Sequence, residues 1–161
     1  NVDSLTKAGS RKFGAEFLEK NFSEFKRGII SPAVIMFDID LFKQINDSYG
    51  HYTGDEVLIQ VVKAIRKTIR NDDKLFRWGG DEFIGVFFGV KEENATFFAA
   101  KMSRAVAEIE VEMGGKIISP SISMGISYFK STDISYSDAI NRADRAMYLS
   151  KMGGNKKVNI M

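Results

Sequence analysis

Cysteine is absent from this chain of 161 residues, and histidine and tryptophan occur once each. Disulfides and thiolate metal sites are therefore excluded, and His51 alone cannot make a histidine-rich zinc centre. Long hydrophobic runs are also missing: none approaches the ~20 residues that cross a bilayer, and no secretion signal is visible. Net charge is only +2, too little to indicate nucleic acid or a membrane surface as partner on charge alone. What is present, 44% hydrophobic and 27% charged residues, describes a globular chain with the length for one domain and its core. Residues 1–161 are read as a single cytoplasmic domain. The start at Asn1, without methionine, is read as the edge of a piece cut from a longer multidomain regulatory protein, whose upstream segments alone would reach a membrane.

The apolar pattern lays out the elements. After an irregular lead-in, Ser10 is placed as the N-cap of a helix to about Phe25, with Phe13, Phe17, Leu18 and Phe22 on one face. Pro32 blocks helix, and Ala33 to Phe37 is a continuous apolar run that suits a strand buried on both faces. A helical turn is expected over Leu41–Asn46, a loop over Tyr49–Gly54, and a helix capped by Asp55 and running to about Arg70. Asn94 is taken to cap a helix to about Met113, with Phe97, Phe98, Met102, Val106 and Ile109 inward and Gly114-Gly115 ending it. Ile117-Ile118 and Ile122–Phe129 read as strand, interrupted at Gly125. Ser137 opens a last helix to about Lys151, and Val158–Ile160 is a short final strand. This order gives an α/β (α+β) fold, a mixed central sheet flanked by helices.

Arg77-Trp78-Gly79-Gly80-Asp81-Glu82-Phe83 lies between two apolar runs and reads as a β-hairpin with Gly79-Gly80 at its turn, where glycine permits positive φ and close approach of a ligand. Alone, it is equally a hairpin tip with solvated acids. Asp38 ends the buried strand. If that strand neighbours the hairpin, then Asp38, Asp81 and Glu82 converge, and each raises the pKa of the others. A divalent cation removes the conflict. An all-oxygen donor set points to Mg²⁺ or Mn²⁺, which at such a site usually serves a nucleoside triphosphate.

With Asp38-Ile39-Asp40-Leu41-Phe42-Lys43-Gln44-Ile45-Asn46-Asp47, Gly50-His51, Gly54-Asp55, Gly79–Phe83, Ser121–Gly125 and Ala143–Tyr148 to Lys151 in this order, the chain resembles a GGDEF domain of the diguanylate cyclase family from Asp3 to about Val158. The resemblance implies a palm-like, ferredoxin-type core as in polymerases and nucleotidyl cyclases. It also implies condensation of two GTP into cyclic di-GMP by a homodimer, in which each 3′-hydroxyl attacks the α-phosphate of the opposite nucleotide. By position, Asp38 and Asp81 would ligate Mg²⁺ (or Mn²⁺), two ions per GTP, with Ile39 contributing its carbonyl oxygen. Asp81 would also accept the 3′-hydroxyl proton, and Glu82 would serve the second ion. Asn46 and Asp55 would read the guanine edge, whose N1–H and N2–H₂ donors want oxygen acceptors. Asp55 can be cap and reader at once. Lys43 and Lys151 would neutralise the triphosphate, Phe42 would line the base pocket, and Gly79 and Gly80 would let backbone N–H groups approach phosphate. His51 is either a substrate contact or a loop-packing residue.

Arg70-Asn71-Asp72-Asp73 fits the family's Arg-x-x-Asp inhibitory site for cyclic di-GMP, with Lys101 in place of a helper arginine. Its plainer reading is a helix-end arginine and a turn aspartate. The departures are Lys7 for the lead-in glycine, Ala8 for leucine, Ser10 for asparagine, Leu41 at a position often aromatic, and Met152-Gly153-Gly154-Asn155-Lys156, where the base expected after Lys151 is Lys156 or is missing. A second reading is therefore a catalytically weak domain that binds GTP or cyclic di-GMP. A third, mixed products from ATP, is disfavoured by Asp55, since adenine lacks the N1–H donor.

Overall fold

The computed structural model describes residues 1–153 and 158–161. Helix α1 (Arg11–Lys26) starts where Ser10 Oγ accepts from Phe13 N, as its capping chemistry predicts. Strand β1 (Ala33–Ile39) follows and is buried along its whole length. Then come α2 (Phe42–Tyr49), α3 (His51–Arg66), β2 (Lys74–Gly79), β3 (Glu82–Phe87), α4 (Ala95–Ala107), β4 (Val111–Met113), β5 (Lys116–Ile118), β6 (Ile122–Tyr128), α5 (Tyr136–Met152) and β7 (Val158–Ile160). The main sheet has the order β2-β3-β1-β6-β7, mixed because only β6 and β7 pair in parallel.

Period-two alternation in β1 divides the core. Ile35, Phe37 and Ile39 join Val57, Leu58, Val61, Ile65, Met102 and Val106 of α3 and α4. Val34 and Met36 join Leu18 of α1 and Ala139, Ala143 and Met147 of α5. Both faces of the central strand are thus covered, which is why its sequence is a continuous apolar run.

Several expected boundaries move. The loop over Tyr49–Gly54 shrinks to Gly50 alone, whose φ of +88° lets α2 turn directly into α3. Asp55 therefore lies inside α3 and caps nothing, and α3 stops at Arg66 rather than Arg70. α4 ends at Ala107, six residues before the expected Met113. Gly114 and Gly115, at φ +58° and +78°, form the two-residue turn of the β4–β5 hairpin instead of a helix stop. Asn94 sits in a short 3₁₀ turn and makes no side-chain cap, and Phe97 is 79% exposed. α5 begins one residue before Ser137, with Ser135 and Asp138 forming a capping box. Gly125 does not interrupt β6. It is the point where α5 presses on the sheet, and a Cβ there would overlap the Ala143 carbonyl oxygen and the Met147 amide.

Candidate active site

The central sheet brings the acids together. In the β1–β3 register Asp38 faces Glu82, and Phe37 faces Phe83 with the two rings stacked 5.1 Å apart. The ladder also pairs Gly79 with Glu82, so the hairpin turn is Gly80-Asp81 and not Gly79-Gly80. Neither glycine takes positive φ. A Cβ at Gly80 would meet nothing within 4 Å, and one at Gly79 only Glu82 Oε1 at 3.9 Å.

Asp38 is only 4% exposed. Its Oδ2 receives the Lys151 ammonium from the last turn of α5, while Oδ1 is buried with no hydrogen-bond partner. Burial pushes its carboxyl up to about 6, against the pull of Lys151, with Asp81 and Asp40 adding to the rise. Glu82 is raised as well, by burial first and then by Asp144 and Asp81. Burial works against the Lys151 cation, but the bond and charge of Asp38 outweigh it and hold the ammonium above its ordinary value. Among the described residues no three Asp, Glu or His side chains form a finished metal cage. The orphaned Asp38 Oδ1 beside Asp81 and Glu82 nonetheless suits a hard cation that takes its remaining ligands from a bound phosphate.

The hairpin tip is held from outside. Arg77 Nε donates to Gly80 O at 2.9 Å, and its Nη1 pairs with Asp3 Oδ2 at 3.2 Å. Asp3 in turn accepts from Thr6 N and Oγ1. The lead-in keeps this turn despite its departures. Lys7 adopts φ +67°, and its carbonyl accepts from Arg66 Nη2 at 2.7 Å. A lysine in the left-handed region costs about 1 kcal/mol that glycine would not. Arg11 lies over the Trp78 ring, 4.5 Å from its centroid.

A cavity of about 640 Å³ runs from Phe42, Lys43 and Asn46 to Asp81 and Lys151. Asn46 Oδ1 is buried there without a partner. Gly54 makes that placement possible: a Cβ at 54 would overlap Oδ1 and stand 2.9 Å from Asn46 Cγ. Ile39 lines the same cavity. Asp55 and His51 lie exposed on the first turns of α3 and do not line it, nor do Gly79 and Gly80.

Two placements go beyond the sequence reading. Asp40, inside the leading motif, accepts from Ser121 Oγ at 2.6 Å and Ser123 Oγ at 2.5 Å, fixing the exit of β1 against β6. The outer face of α5 adjoins these acids: Asn141, Asp144, Arg145 and Tyr148 wall a second cavity of about 550 Å³ that contains Asp38 and Glu82 and meets the first at Lys151. Their i, i+3, i+4, i+7 spacing was a readable signal, though one shared by any solvated helix face.

Asp73 is 7% exposed and accepts from the Arg70 and Phe88 amides, each at 2.9 Å. Arg70 is exposed, with Nη1 3.1 Å from where a Gly89 Cβ would stand. Lys101 is exposed on α4, and among the described residues no hydrogen bond or ion pair joins it to Arg70 or Asp73. The expected base at Lys156 lies outside the described residues.

A family model described as diguanylate cyclase, GGDEF domain, matches residues 1–157. Diguanylate cyclase A of Treponema denticola is 38% identical over 128 residues, 80% of this chain and 34% of that protein. Diguanylate cyclase DosC of Escherichia coli is 33% identical over 160 residues, 99% of this chain and 35% of that protein. The chain thus spans about a third of the length of these curated relatives. Among solved structures, diguanylate cyclase SiaD of Pseudomonas aeruginosa, in complex with its activator SiaC, superposes with a TM-score of 0.93 at 30% identity, covering 99% of this chain and 61% of that one. The GGDEF domain of DgcB from Caulobacter crescentus, in complex with c-di-GMP, superposes with a TM-score of 0.92 at 27% identity, covering 99% and 94%. The chain belongs to the GGDEF-domain family of diguanylate cyclases.

Proposed function

We propose that this domain condenses two GTP into cyclic di-GMP and two pyrophosphates, with two copies facing each other and each holding one GTP. The observation that carries the reading is the 640 Å³ cavity, which has an unmatched amide oxygen of Asn46 at one end and Asp81 and Lys151 at the other. Asn46 Oδ1 accepts from the guanine N–H edge, and Asp55 completes base recognition from the adjoining turn of α3. Phe42 packs against the base. Lys43 and Lys151 offset triphosphate charge, and the Gly79-Gly80 backbone leaves room for phosphate. His51 contributes at the rim.

Asp38, Asp81 and Glu82, with the Ile39 carbonyl, would hold Mg²⁺ or Mn²⁺; such ions polarise the α-phosphoryl group and acidify the attacking hydroxyl. Asp81 takes the 3′-hydroxyl proton. The 3′-oxygen bonds to the α-phosphorus of the opposite GTP while the bond to the β-phosphate oxygen breaks, and pyrophosphate leaves. Repeating the step in the other half closes the ring. Arg70 and Asp73, with Lys101, are proposed to bind product as a brake. In that role Arg70 supplies the guanidinium fork, since both Asp73 oxygens are taken by backbone amides.

The test is cyclic di-GMP formation from GTP and Mg²⁺, followed against protein concentration. A rate per subunit that rises with concentration, and that Asp81→Ala lowers by about 10³-fold or more, is the expected outcome. Full turnover by Asp81→Ala would remove the assignment. The Lys151–Asp38 ion pair also supports the second reading, a binding module, because it occupies one of the two carboxylate oxygens of Asp38 and leaves only Oδ1 for a cation. GTP binding with no product at any concentration would identify that state.

A further inference from the structure

Reaction between facing copies needs room beside each phosphate site for the sugar and base of the opposite nucleotide. The 550 Å³ cavity lies in that position. It is floored by Asp38 and Glu82, walled by Asn141, Asp144, Arg145 and Tyr148, and joined to the GTP cavity at Lys151. Its wall is unoccupied chemistry: no hydrogen bond or ion pair among the described residues engages the side chains of Asn141, Arg145 or Tyr148, and Tyr148 is 59% exposed. The buried Asp38, with its unpartnered Oδ1, is part of the floor.

Charge selects the ligand. Three carboxylates, of Asp38, Glu82 and Asp144, face two cations, Arg145 and Lys151. A bare triphosphate would be repelled, whereas an uncharged group rich in donors is favoured. A ribose with its hydroxyls and a guanine with N1–H and N2–H₂ meet that description. The Arg145 fork matches the guanine O6/N7 edge, Asn141 and Asp144 offer acceptors, and the Tyr148 ring offers a stacking face.

We infer that the α5 cavity receives the ribose and guanine of the GTP held by the second copy, an inference that rests on the facing-copy reading. Each copy then holds one nucleotide by its phosphates and base in the Asn46 cavity and positions the other nucleotide's 3′-hydroxyl beside Asp38. Half of each active site is lent across the pair by α5, although the hairpin motif marks only the other half.

Guanosine, which lacks phosphate, is the probe. It is titrated into the chain already loaded with GTP, with Ca²⁺ in place of Mg²⁺ to hold turnover and at a protein concentration where the copies stay unpaired, and followed by amide NMR. Shifts centred on 141–148 that disappear in Tyr148→Ala are expected; no shifts there would overturn the inference. In turnover, Arg145→Ala and Tyr148→Ala should each lower cyclic di-GMP formation about ten-fold. Their GTP affinity in Ca²⁺ should stay within about two-fold. Unchanged turnover, or a parallel loss of GTP affinity, would also overturn it. A wild-type chain that made no product yet bound guanosine at α5 would sink the proposed turnover and uphold this assignment of the cavity's ligand.

Discussion

Asn46 can aim its side-chain oxygen into the cavity only because residue 54 carries no Cβ. A methyl group there would overlap Oδ1 and sit 2.9 Å from Cγ, so Gly54→Ala must swing the amide away. Position 54 is interior to α3, where alanine is intrinsically better than glycine by roughly 1 kcal/mol, so the fold should survive. A guanine donor left without its acceptor costs about 1–3 kcal/mol. GTP binding should therefore weaken by roughly ten- to hundred-fold. Calorimetric titration with GTP, beside thermal melting, separates the two effects. If Gly54→Ala kept wild-type affinity, Asn46 would have no part in reading the base. The same contrast governs Asp38 and Asp40. Both are aspartates of one motif, yet Asp40 spends its carboxylate on Ser121 and Ser123 while Asp38 keeps one oxygen unspent.

At the scale of elements, α5 packs on β6 through Gly125, and this contact sets where Lys151 and the α5 cavity stand. A Cβ at 125 would meet backbone atoms of Ala143 and Met147, which cannot rotate aside. Gly125→Ala must push the helix off the strand at a cost of about 3 kcal/mol. The expected result is a lower urea midpoint with an unchanged m-value, together with loss of turnover through displacement of Lys151; an unmoved midpoint would show that the helix yields freely. In the sequence Gly125 reads as a strand interruption, because composition cannot tell a glycine that breaks an element from one that lets another element approach. The same ambiguity makes Gly114-Gly115 look like a helix stop when it is a hairpin turn. α1 was legible because burial on one face writes a period into the chain, and β1 and β3 because near-complete burial writes an apolar run. The pairing of Asp38 with Glu82 was legible only as a condition on strand order. Ala143–Tyr148 was legible as a motif but not as a wall of a cavity, because Asn141, Asp144 and Arg145 look like any solvated helix face until the sheet places Asp38 beneath them.

The whole molecule is polarised along β1. Its Asp38 end gathers groups with unmet demands: a carboxyl raised to about 6, an orphaned amide oxygen and like charges side by side. Its Ala33 end is better matched, although Arg142 Nε is buried there without a partner. There Ala33 pairs with Tyr128, the Tyr128 hydroxyl donates to Val90 O at 2.7 Å, and Arg142 Nη2 donates to Tyr128 O at 2.8 Å. Asp133, 6% exposed, completes that end by accepting from Arg142 Nη1 and Nη2 and from Lys130 N, each at 2.8 Å. The bond from Arg142 holds the Asp133 carboxyl below its ordinary 3.8, with burial opposing and the Lys130 amide assisting. The unfolded chain therefore takes up this proton first. Stability from the pair is fully present above pH 3.8 and is lost as pH falls through the lower, folded value. Asp133→Asn leaves a buried guanidinium facing an amide and should cost about 3 kcal/mol at neutral pH. Melting curves of both chains, taken downward in pH, should show a constant gap to about pH 4 that then closes as the wild type loses its clamp. The proposed GTP site stands at the opposite end of the strand, so GTP affinity at neutral pH should be unchanged in folded Asp133→Asn. A gap that persisted undiminished after Asp133 had protonated would mean that shape at this end, and not charge, holds the loop to α5.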